Sequence, residues 1–388
     1  MDFSLNAEQQ QIREAMLKLC ARFDDGYWLE KDRSGGFPHE LHGALAADSW
    51  LGIAMPAQYG GAGLGITEAA IMMQAIAESG AAMSGASAVH MNIFGLNPVV
   101  VLGSEEQKRR MLPPLIAGKD KACFAVTEPN AGLDTASIKL DARRRGDGYL
   151  LSGQKIWIST AQVANKVLVL ARTTPAERVK HKTDGLSLFY TDLDRRRVSV
   201  RAIEKMGRHA VDSNELFFDE MPVAAADRIG EEGQGFRAIL HGINPERILI
   251  AAEAVGIGRA ALRRAAAYAR QRVVFGRPIG QNQGIAHPLA RCWVDLEAAN
   301  LMVMKAASLC DRKLDCAAEA NAAKYLAGEA GYHACETALM THGGMGYAKE
   351  FQVERYLREV MIARIAPITP HMILNYIAEK VLELPKSY

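Results

Sequence analysis

The sequence has no large excess of charge of either sign and no long apolar run. Its 388 residues include 46 Lys and Arg against 44 Asp and Glu, a formal net charge of +2. Near-neutrality argues against a surface built to follow a phosphate backbone, so we expect no nucleic-acid partner. No uninterrupted apolar run reaches the roughly 18 residues that a membrane-spanning helix needs. We therefore expect no membrane span.

The sequence also lacks paired cysteines and histidines with the spacing of metal ligands. Its six cysteines occur singly in apolar or helical segments, with no Cys-x-x-Cys pair. This pattern favours reduced packing residues over disulfides, and we expect no metal site. The N-terminus begins with a polar amphipathic segment that has no signal-peptide or transit-peptide features, so a cytoplasmic location is the expectation.

The distribution of apolar residues divides the chain into three parts. With 49% hydrophobic and 23% charged residues, the chain is long enough for more than one core. Apolar residues recur with a helical period up to about residue 118 and again from 231, whereas β-branched and aromatic clusters in between predict strands. The sequence therefore predicts a mainly α protein with an inserted antiparallel β-barrel or sandwich, in domains 1–118, 119–230 and 231–388.

Two short motifs match functional signatures in residue type and spacing, but their predicted structural context does not fit those functions. Gly256-x-Gly258-x-x-Ala261 lies inside a helical segment with no strand before it, so the glycines indicate close helix packing and not dinucleotide binding. Ser152-x-x-Lys155 lies in a predicted strand, where a nucleophile motif has no supporting context. Neither motif carries a functional prediction.

One stretch in the β region is more informative. Residues 124–134 form a turn-rich segment, and residues 153–159 add a strand that bears Trp157. A flat aromatic cofactor needs apolar contact for its faces and amides or hydroxyls for its polar edge, and this stretch provides both. The alternative is that Trp157 fills the core of the β domain.

These segments are part of a series that resembles the acyl-CoA dehydrogenase family along essentially the whole chain. The matching motifs, in family order, lie at residues 3–9, 50–53, 59–61, 103–108, 127–129, 155–158, 272–279 and 343–347. The resemblance implies a helical domain, a β-barrel domain and a C-terminal four-helix bundle. It also implies FAD as the cofactor and an acyl-CoA thioester as the substrate.

The resemblance assigns FAD contacts residue by residue. The residues concerned are Phe124, Val126, Thr127, Gly132, Leu133, Trp157, Ser159, Arg272, Phe275, Met340, Gly344 and Thr369. It places Thr127 at the pyrimidine edge, Trp157 over the ring system and Ser159 near the flavin N5. Arg272 and Phe275 would reach the FAD of a neighbouring subunit, which implies a homo-oligomer, either a tetramer or a dimer. Leu133 and Met340 replace the Ser and Gln that are usual in the family, so we expect altered affinity but retained FAD binding.

The family reaction is α,β-desaturation, in which a glutamate removes the α-proton and the β-hydrogen leaves as hydride. Many members carry the glutamate in a C-terminal Tyr-Glu-Gly-Thr, where this chain has Pro367 in the glutamate position. The isovaleryl-type and long-chain members carry it at the start of the helix after the β domain. There Asn244 fits an N-cap, Pro245 a first helical residue and Glu246 the base. The simpler alternative is that Glu246 is only a helix-start carboxylate.

The remaining assignments concern the substrate and partners. Ala366 replaces an aromatic residue of the straight-chain enzymes, which favours a branched or bulky acyl group. Met91 and Phe94 are expected to shape the acyl pocket, and Arg247 to serve a structural role or to lie on the CoA side. The resemblance implies electron-transfer flavoprotein as the acceptor. Alternatives are a flavin oxidase or monooxygenase of the same fold, a non-catalytic assembly subunit and a DNA-associated member.

Overall fold

The computed structural model describes residues 4–387, in which a helical region, a sheet and a second helical region follow one another. Phe3, where the first family motif begins, lies outside the described residues. The helices of the first region are α1 Ala7–Cys20, α2 Asp25–Ser34, α3 His39–Ala47, α4 Ile66–Ile76, α5 Ala82–Phe94, α6 Asn97–Leu102 and α7 Glu105–Ile116.

Polar side chains cap the start of α1, α2, α4 and α7 in the first region. The Asn6 side chain accepts a hydrogen bond from Gln9 N at 2.8 Å, and the Gln9 side chain accepts one from Asn6 N at 3.1 Å. α4 is capped from a distant part of the chain, because the Asp311 carboxylate accepts hydrogen bonds from Ile66 N and Thr67 N at 2.6 and 2.9 Å. This cap ties the first helical region to the second.

The segment Ile66–Leu102, which contains α4, α5 and α6, is the one strongly apolar long helical segment among the described residues. By length and composition it could cross a membrane, with a mean hydropathy of 1.3 over its best window. Of that window, 78% is buried inside the protein, and Gly80 interrupts the helix with a φ of 107°. The segment therefore forms the central core against which the other helices pack.

The middle region is a single mixed sheet and not the closed antiparallel barrel that the sequence predicted. Its strands are β1 Ala122–Ala125, β2 Asp141–Arg145, β3 Gly148–Ser159, β4 Lys166–Arg172, β5 Leu186–Asp192, β6 Val198–Ala202, β7 Ser213–Ala224 and β8 Arg228–Ile229. The order is β6-β7-β3-β2-β4-β5-β8, and β1 pairs with β4 in parallel. Alternation of apolar residues predicts that a segment is a strand, but neither its partner nor its direction.

β3 is one long strand, Gly148–Ser159, which contains the strand predicted at residues 153–159. The register against β7 shifts between Leu151 and Gly153 and again between Lys155 and Ile158. Gly153 has a φ of 141°, and such bulges interrupt the alternation that sequence patterns rely on. The second irregularity contains Trp157 at a φ of 61°, so the bulge directs that side chain.

The second helical region packs four longer helices together and adds a short one. They are α8 Gly235–Gln271, α9 Gln283–Asp311, α10 Ala317–His342, α11 Val353–Ile365 and α12 Pro370–Tyr376, with the β9 Val273–Val274 and β10 Arg277–Pro278 hairpin after α8. A Cβ on Gly256 would lie 2.3 Å from the Gln74 carbonyl oxygen. One on Gly258 would lie 2.6 Å from Leu296 Cδ2, so the prediction that these glycines serve helix packing is confirmed.

The predicted start of α8 is wrong. The helix begins at Gly235, so Asn244 is not an N-cap and Pro245 lies in the helix interior. An interior proline leaves the carbonyl four residues earlier without its helical donor. Here that carbonyl belongs to His241, and the Asn97 side chain donates to it at 2.7 Å. Because this donor comes from α6, the sequence around Pro245 does not indicate that the helix continues.

Candidate active site

Glu246 lies on α8 directly after Pro245, eleven residues past the start of the helix. Its carboxylate is half-buried and has neither a hydrogen bond nor an ion pair within residues 4–387. Burial raises the pKa of Glu246 to about 7, although the positive charges of His90 and Arg247 oppose that shift. The helix dipole acts mainly within the first turn, so it does little to lower this pKa. The effect of desolvation on the pKa therefore exceeds that of the nearby positive charges, and the side chain is suited to take a proton near neutral pH.

His90 and Glu253 act on Glu246 through their charges, and Arg208 in turn acts on His90. On α5, Nδ1 of His90 contacts the carboxylate of Glu253, which lies two turns after Glu246 on α8. Burial disfavours protonated His90, but the charges of Glu253 and Glu246 more than compensate, so its pKa is raised. The guanidinium of Arg208, from the loop between β6 and β7, donates to Ser87 Oγ at 3.1 Å and to Ser159 Oγ at 3.0 Å.

The loop at Thr127 is clamped against β3 by a buried ion pair. The Glu128 carboxylate accepts hydrogen bonds from Lys139 N at 2.7 Å and Leu140 N at 2.8 Å, and pairs with Lys155 Nζ at 2.9 Å. Lys155 also donates to the Val126 carbonyl at 2.8 Å. Burial lowers the pKa of Lys155 to about 8 in spite of Glu128. The turn and the strand are therefore held in one arrangement.

Trp157 is not part of the core. Its side chain is 56% exposed, while the next residue, Ile158, is fully buried. Ile156 N donates to the Thr127 carbonyl at 2.9 Å, so the Trp157 segment lies beside the Thr127 loop. With Ser159 at the end of the same strand, the surface combines an aromatic face, a hydroxyl and backbone polar groups. The alternative that Trp157 is a core residue is wrong.

Several residues predicted to contact the cofactor or the acyl group lie together where β1 packs against α5. The rings of Phe94 and Phe124 lie 5.1 Å apart, and those of His90 and Phe94 lie 4.7 Å apart. Met91 is buried on the same helix. The structure therefore brings Phe94, Phe124, Val126, Thr127, Trp157, Ser159 and Glu246 into one region.

A second group of predicted residues lies at the far end of α8. Arg272 follows Glu246 by twenty-six residues, roughly 39 Å at about 1.5 Å per residue along the helix. Phe275 forms the tip of the β9–β10 hairpin and is 99% exposed. Met340 is 71% exposed and Gly344 is also exposed, and the stacked rings of Tyr268 and His342, 4.4 Å apart, link their segment to the end of α8.

The remaining predicted residues lie in loops. Gly132 and Leu133 are exposed after the Thr127 turn, and Ala366 and Thr369 lie between α11 and α12. The Thr369 hydroxyl caps α12, accepting from Met372 N at 3.4 Å. The nearly buried Lys324 donates to the carbonyls of Arg364 and Ile368 at 3.2 and 2.6 Å, which holds this loop in place.

Arg247 points away from Glu246's other neighbours. Its Nη1 donates to Asn244 Oδ1 at 3.0 Å, and its Nε is buried with no hydrogen-bond partner among the described residues. Burial lowers the pKa of Arg247, while the charges of Glu246 and Tyr376 act in the opposite direction. Its guanidinium is thus directed toward the α12 side of the site.

Three residues of the site, Arg208, His90 and Glu253, were not predicted from the sequence. His90 and Glu253 are ionisable residues within otherwise apolar helices. Arg208 lies in a loop and adopts a φ of 61°. An ionisable residue on the buried face of an apolar helix was the available signal for the first two. Nothing in the sequence around Arg208 indicated that its side chain reaches Ser87 and Ser159.

Comparisons with known proteins identify the family. Models of the acyl-CoA dehydrogenase N-terminal, middle and C-terminal domains match residues 6–119, 123–221 and 233–382. The acyl-CoA dehydrogenase FadE12 of Mycobacterium tuberculosis is 37% identical over 391 residues, covering 100% of this chain and 99% of that protein.

Two further relatives extend the comparison. The caffeyl-CoA reductase–Etf complex subunit CarC of Acetobacterium woodii is 34% identical, covering 87% of this chain and 88% of that protein. The butyryl-CoA dehydrogenase structure from Megasphaera elsdenii has a TM-score of 0.93 at 29% identity, covering 98% of this chain and 100% of that chain. The chain therefore belongs to the acyl-CoA dehydrogenase family of FAD-dependent oxidoreductases.

Proposed function

We propose that Glu246 is the base that removes the α-proton of the acyl-CoA substrate. The observation that carries this proposal is its half-buried carboxylate, which has no hydrogen bond or ion pair from residues 4–387 and whose pKa is raised to about 7. A carboxylate already committed to a salt bridge would be a weaker base. Pro367 cannot take a proton, so the C-terminal position used by many family members offers no competitor.

The electron and proton balance of the reaction is simple. The α C–H bond breaks and its proton passes to a carboxylate oxygen of Glu246. The β C–H bond breaks with both electrons leaving as hydride, and a double bond forms between the two carbons. When bound, FAD supplies the acceptor for that hydride.

The residues present fit FAD. Trp157 offers an exposed indole, Ser159 a hydroxyl, and the clamped Thr127 loop offers backbone polar groups at one edge. Phe124 and Val126 add apolar contact on the adjoining strand, and exposed Gly132 and Leu133 extend the surface. We assign the flavin end of the cofactor to this region, with Thr369 contributing from the α12 loop.

We assign Arg272, Phe275, Met340 and Gly344 to the cofactor of a second copy of the chain. Because these residues lie roughly 39 Å from Glu246 along α8, they serve a different molecule of FAD from the one beside Glu246. Phe275 is almost fully exposed, as expected of a side chain that a partner subunit covers. The protein is accordingly a homo-oligomer, a dimer or a tetramer.

We further propose a branched or bulky acyl group and electron-transfer flavoprotein as the acceptor. The small Ala366 leaves room beside the α12 loop, with Met91 and Phe94 shaping the other wall and Arg247 on the α12 side. The relative CarC belongs to a complex with Etf, which supports the choice of acceptor.

The first experiment compares Glu246→Gln with the parent enzyme by anaerobic titration with straight, branched and aromatic acyl-CoAs. We expect a subset of the thioesters to bleach the flavin absorbance of the parent enzyme. In Glu246→Gln the rate of bleaching should fall by roughly 10²- to 10⁴-fold, the usual contribution of a general base. Glu350→Gln changes an exposed carboxylate and is the matched control.

Retained FAD absorbance and unchanged melting temperature show that Glu246→Gln is folded. Full turnover in that variant would contradict the assignment of the base. A yellow parent protein that no thioester bleaches would favour the oxidase or assembly-subunit alternatives. Reaction with straight chains alone would contradict the branched or bulky acyl group.

A further inference from the structure

Polar and charged groups gather where α5, α8 and the β6–β7 loop meet, beside the apolar Met91 and Phe94. Ser87 and His90 lie one turn apart on α5, and Glu253 lies two turns after Glu246 on α8. Arg208 reaches the same place from the β6–β7 loop. This inference rests on the proposed function, because it takes Glu246 as the base and Ser159 as a flavin contact.

Arg208 is a cation without an anionic partner. Its guanidinium donates to two neutral hydroxyls, those of Ser87 and Ser159, and no carboxylate of residues 4–387 lies within ion-pair distance. A guanidinium has five N–H donors, so further donors are available to a ligand. Burial lowers the pKa of Arg208, which shows that desolvation outweighs the nearby negative charges.

The carboxylates that influence Arg208 are already engaged by other groups. Glu253 contacts His90. Glu359 accepts from Ser84 Oγ at 2.7 Å and from Arg355 Nη1 at 3.1 Å. Asp212 accepts from Gln162 N at 3.2 Å and from the Asn214 side chain. Each carboxylate is therefore held by partners of its own, and none neutralises Arg208 directly.

The position of Arg208 relative to the chemistry determines what part of a substrate it can meet. Under the proposed function, Glu246 takes the proton from the α-carbon, and Ser159 contacts the flavin that accepts the hydride from the β-carbon. Since Arg208 Nη2 lies 3.0 Å from Ser159 Oγ, it is next to the β-carbon end of the reacting pair. Its other bond, to Ser87 on α5, lies on the acyl-pocket side. Arg208 is thus placed to meet the acyl group beyond the β-carbon.

We propose that Arg208 binds a carboxylate at the distal end of the acyl group, so that the substrate is an acyl-CoA with a second, free carboxyl group. Arginine binds carboxylates through parallel N–H donors, and such charge-assisted hydrogen bonds are among the strong ones. An uncharged hydrocarbon tail in the same place would shield the guanidinium from water without giving it a partner. Arg208 is a specificity-determining residue of the site.

Binding of unreactive CoA thioethers to the full-length, FAD-loaded enzyme tests this proposal. The probes carry carboxybutyl, carbamoylbutyl or pentyl groups, which are matched in chain length but differ in charge and polarity. Isothermal calorimetry measures each dissociation constant. We expect the carboxybutyl probe to bind roughly ten- to a hundredfold more tightly than the pentyl probe, the range for a hydrogen bond to a charged group.

Two variants separate charge from structure. Arg208→Gln should bind the three probes within about threefold of one another, whereas Arg208→Lys, which keeps the charge, should retain part of the preference. Arg145→Gln changes an exposed arginine at the end of β2 and should leave the preference unchanged. FAD absorbance and melting temperature establish that each variant is folded.

The outcomes distinguish this proposal from the assignment of Glu246. Equal binding of carboxybutyl and carbamoylbutyl probes by the parent enzyme, or a preference for pentyl, would overturn the role of Arg208. A loss of FAD from Arg208→Gln with an unchanged probe preference would assign Arg208 to the cofactor instead. Activity retained in Glu246→Gln would refute the base while leaving the probe preference intact, because the thioethers carry no reactive thioester.

Discussion

Individual residues of this site are tuned by burial more than by local sequence. Glu246 has a raised pKa because the carboxylate is desolvated on the interior of a long helix. Had the helix begun at Asn244, the dipole of its first turn would have stabilised the charged form instead. The position of the helix start therefore decides whether the pKa of Glu246 is raised or lowered.

The proposed role of Glu246 as the base predicts how the reaction depends on pH. Only the deprotonated carboxylate can accept the α-proton, so kcat/KM should rise as the pH increases through about 7 in the free enzyme and level off above it. Measuring kcat/KM across this range for the best thioester gives the apparent pKa. A profile that is flat between pH 5 and about 8 would show that the base titrates elsewhere.

The buried Lys155–Glu128 pair should be the most sensitive ion pair near the cofactor loop. Glu128→Gln removes the carboxylate that partners a fully buried ammonium and two backbone amides. We expect a loss of about 3–5 kcal/mol in the free energy of unfolding, measured by urea denaturation, and weaker FAD retention.

The matched control for that experiment is Glu220→Gln, because the Arg143–Glu220 pair has a similar length of 2.7 Å but is exposed. Exposed pairs contribute about 0–1 kcal/mol. Similar losses in both variants would mean that burial does not determine the strength of the Lys155–Glu128 pair.

At the level of elements, α8 connects the two functional regions. It carries Glu246 in its first third and Glu253 at its middle, and it leads to Arg272 at its end. Its course past Pro245 depends on Asn97, whose side chain satisfies the His241 carbonyl. The approach of α8 to α4 depends in turn on Gly256, where there is no room for a side chain.

Gly256→Ala should therefore destabilise the protein. The added Cβ would lie 2.3 Å from the Gln74 carbonyl oxygen, so α8 and α4 must move apart, at a cost of about 1–3 kcal/mol. Gly43→Ala in α3 is the control, since nothing lies within 4 Å of its Cβ and alanine favours helix by about 1 kcal/mol. Thermal unfolding of both variants measures the difference, and a melting temperature of Gly256→Ala at or above that of the parent would contradict this account.

The prediction of the elements succeeded where local pattern controls structure. Helical periodicity located both helical regions, and apolar clusters located most strands. It failed at β2, at the full length of β3 and at the start of α8. For β3 and α8 the deciding interaction is distant: a bulge against β7 for β3, and the Asn97 side chain for α8. For β2 it is local, because β2 pairs with β3 across a two-residue turn.

On the scale of the whole molecule, the described chain leaves large apolar side chains exposed on its second helical region. Trp293 on α9 is 59% exposed, and Met340 and Phe275 are more exposed still. Exposed apolar patches of this kind are typical of surfaces that a partner covers. This is the surface that the proposed oligomer would bury.

Trp293→Lys should weaken that assembly without unfolding the chain, because the side chain contributes little to the core of one subunit. We expect the parent to have a solution mass that is a multiple of 42.2 kDa and the variant to dissociate at higher concentration, measured by light scattering. Val101→Lys, on α6 and 47% exposed, is the control. A parent of 42.2 kDa at all concentrations would refute the oligomer.

The sequence by itself determined the family, the succession of helical and β regions and the absence of a glutamate at position 367. These properties are carried by local periodicity and by motifs whose residues are near one another in the chain. Tertiary structure alone decided that the sheet is mixed, that desolvation sets the pKa of Glu246, and that Arg208 meets Ser87 and Ser159. The physical reason is that burial, strand partners and unpaired charges depend on residues brought together from distant parts of the chain.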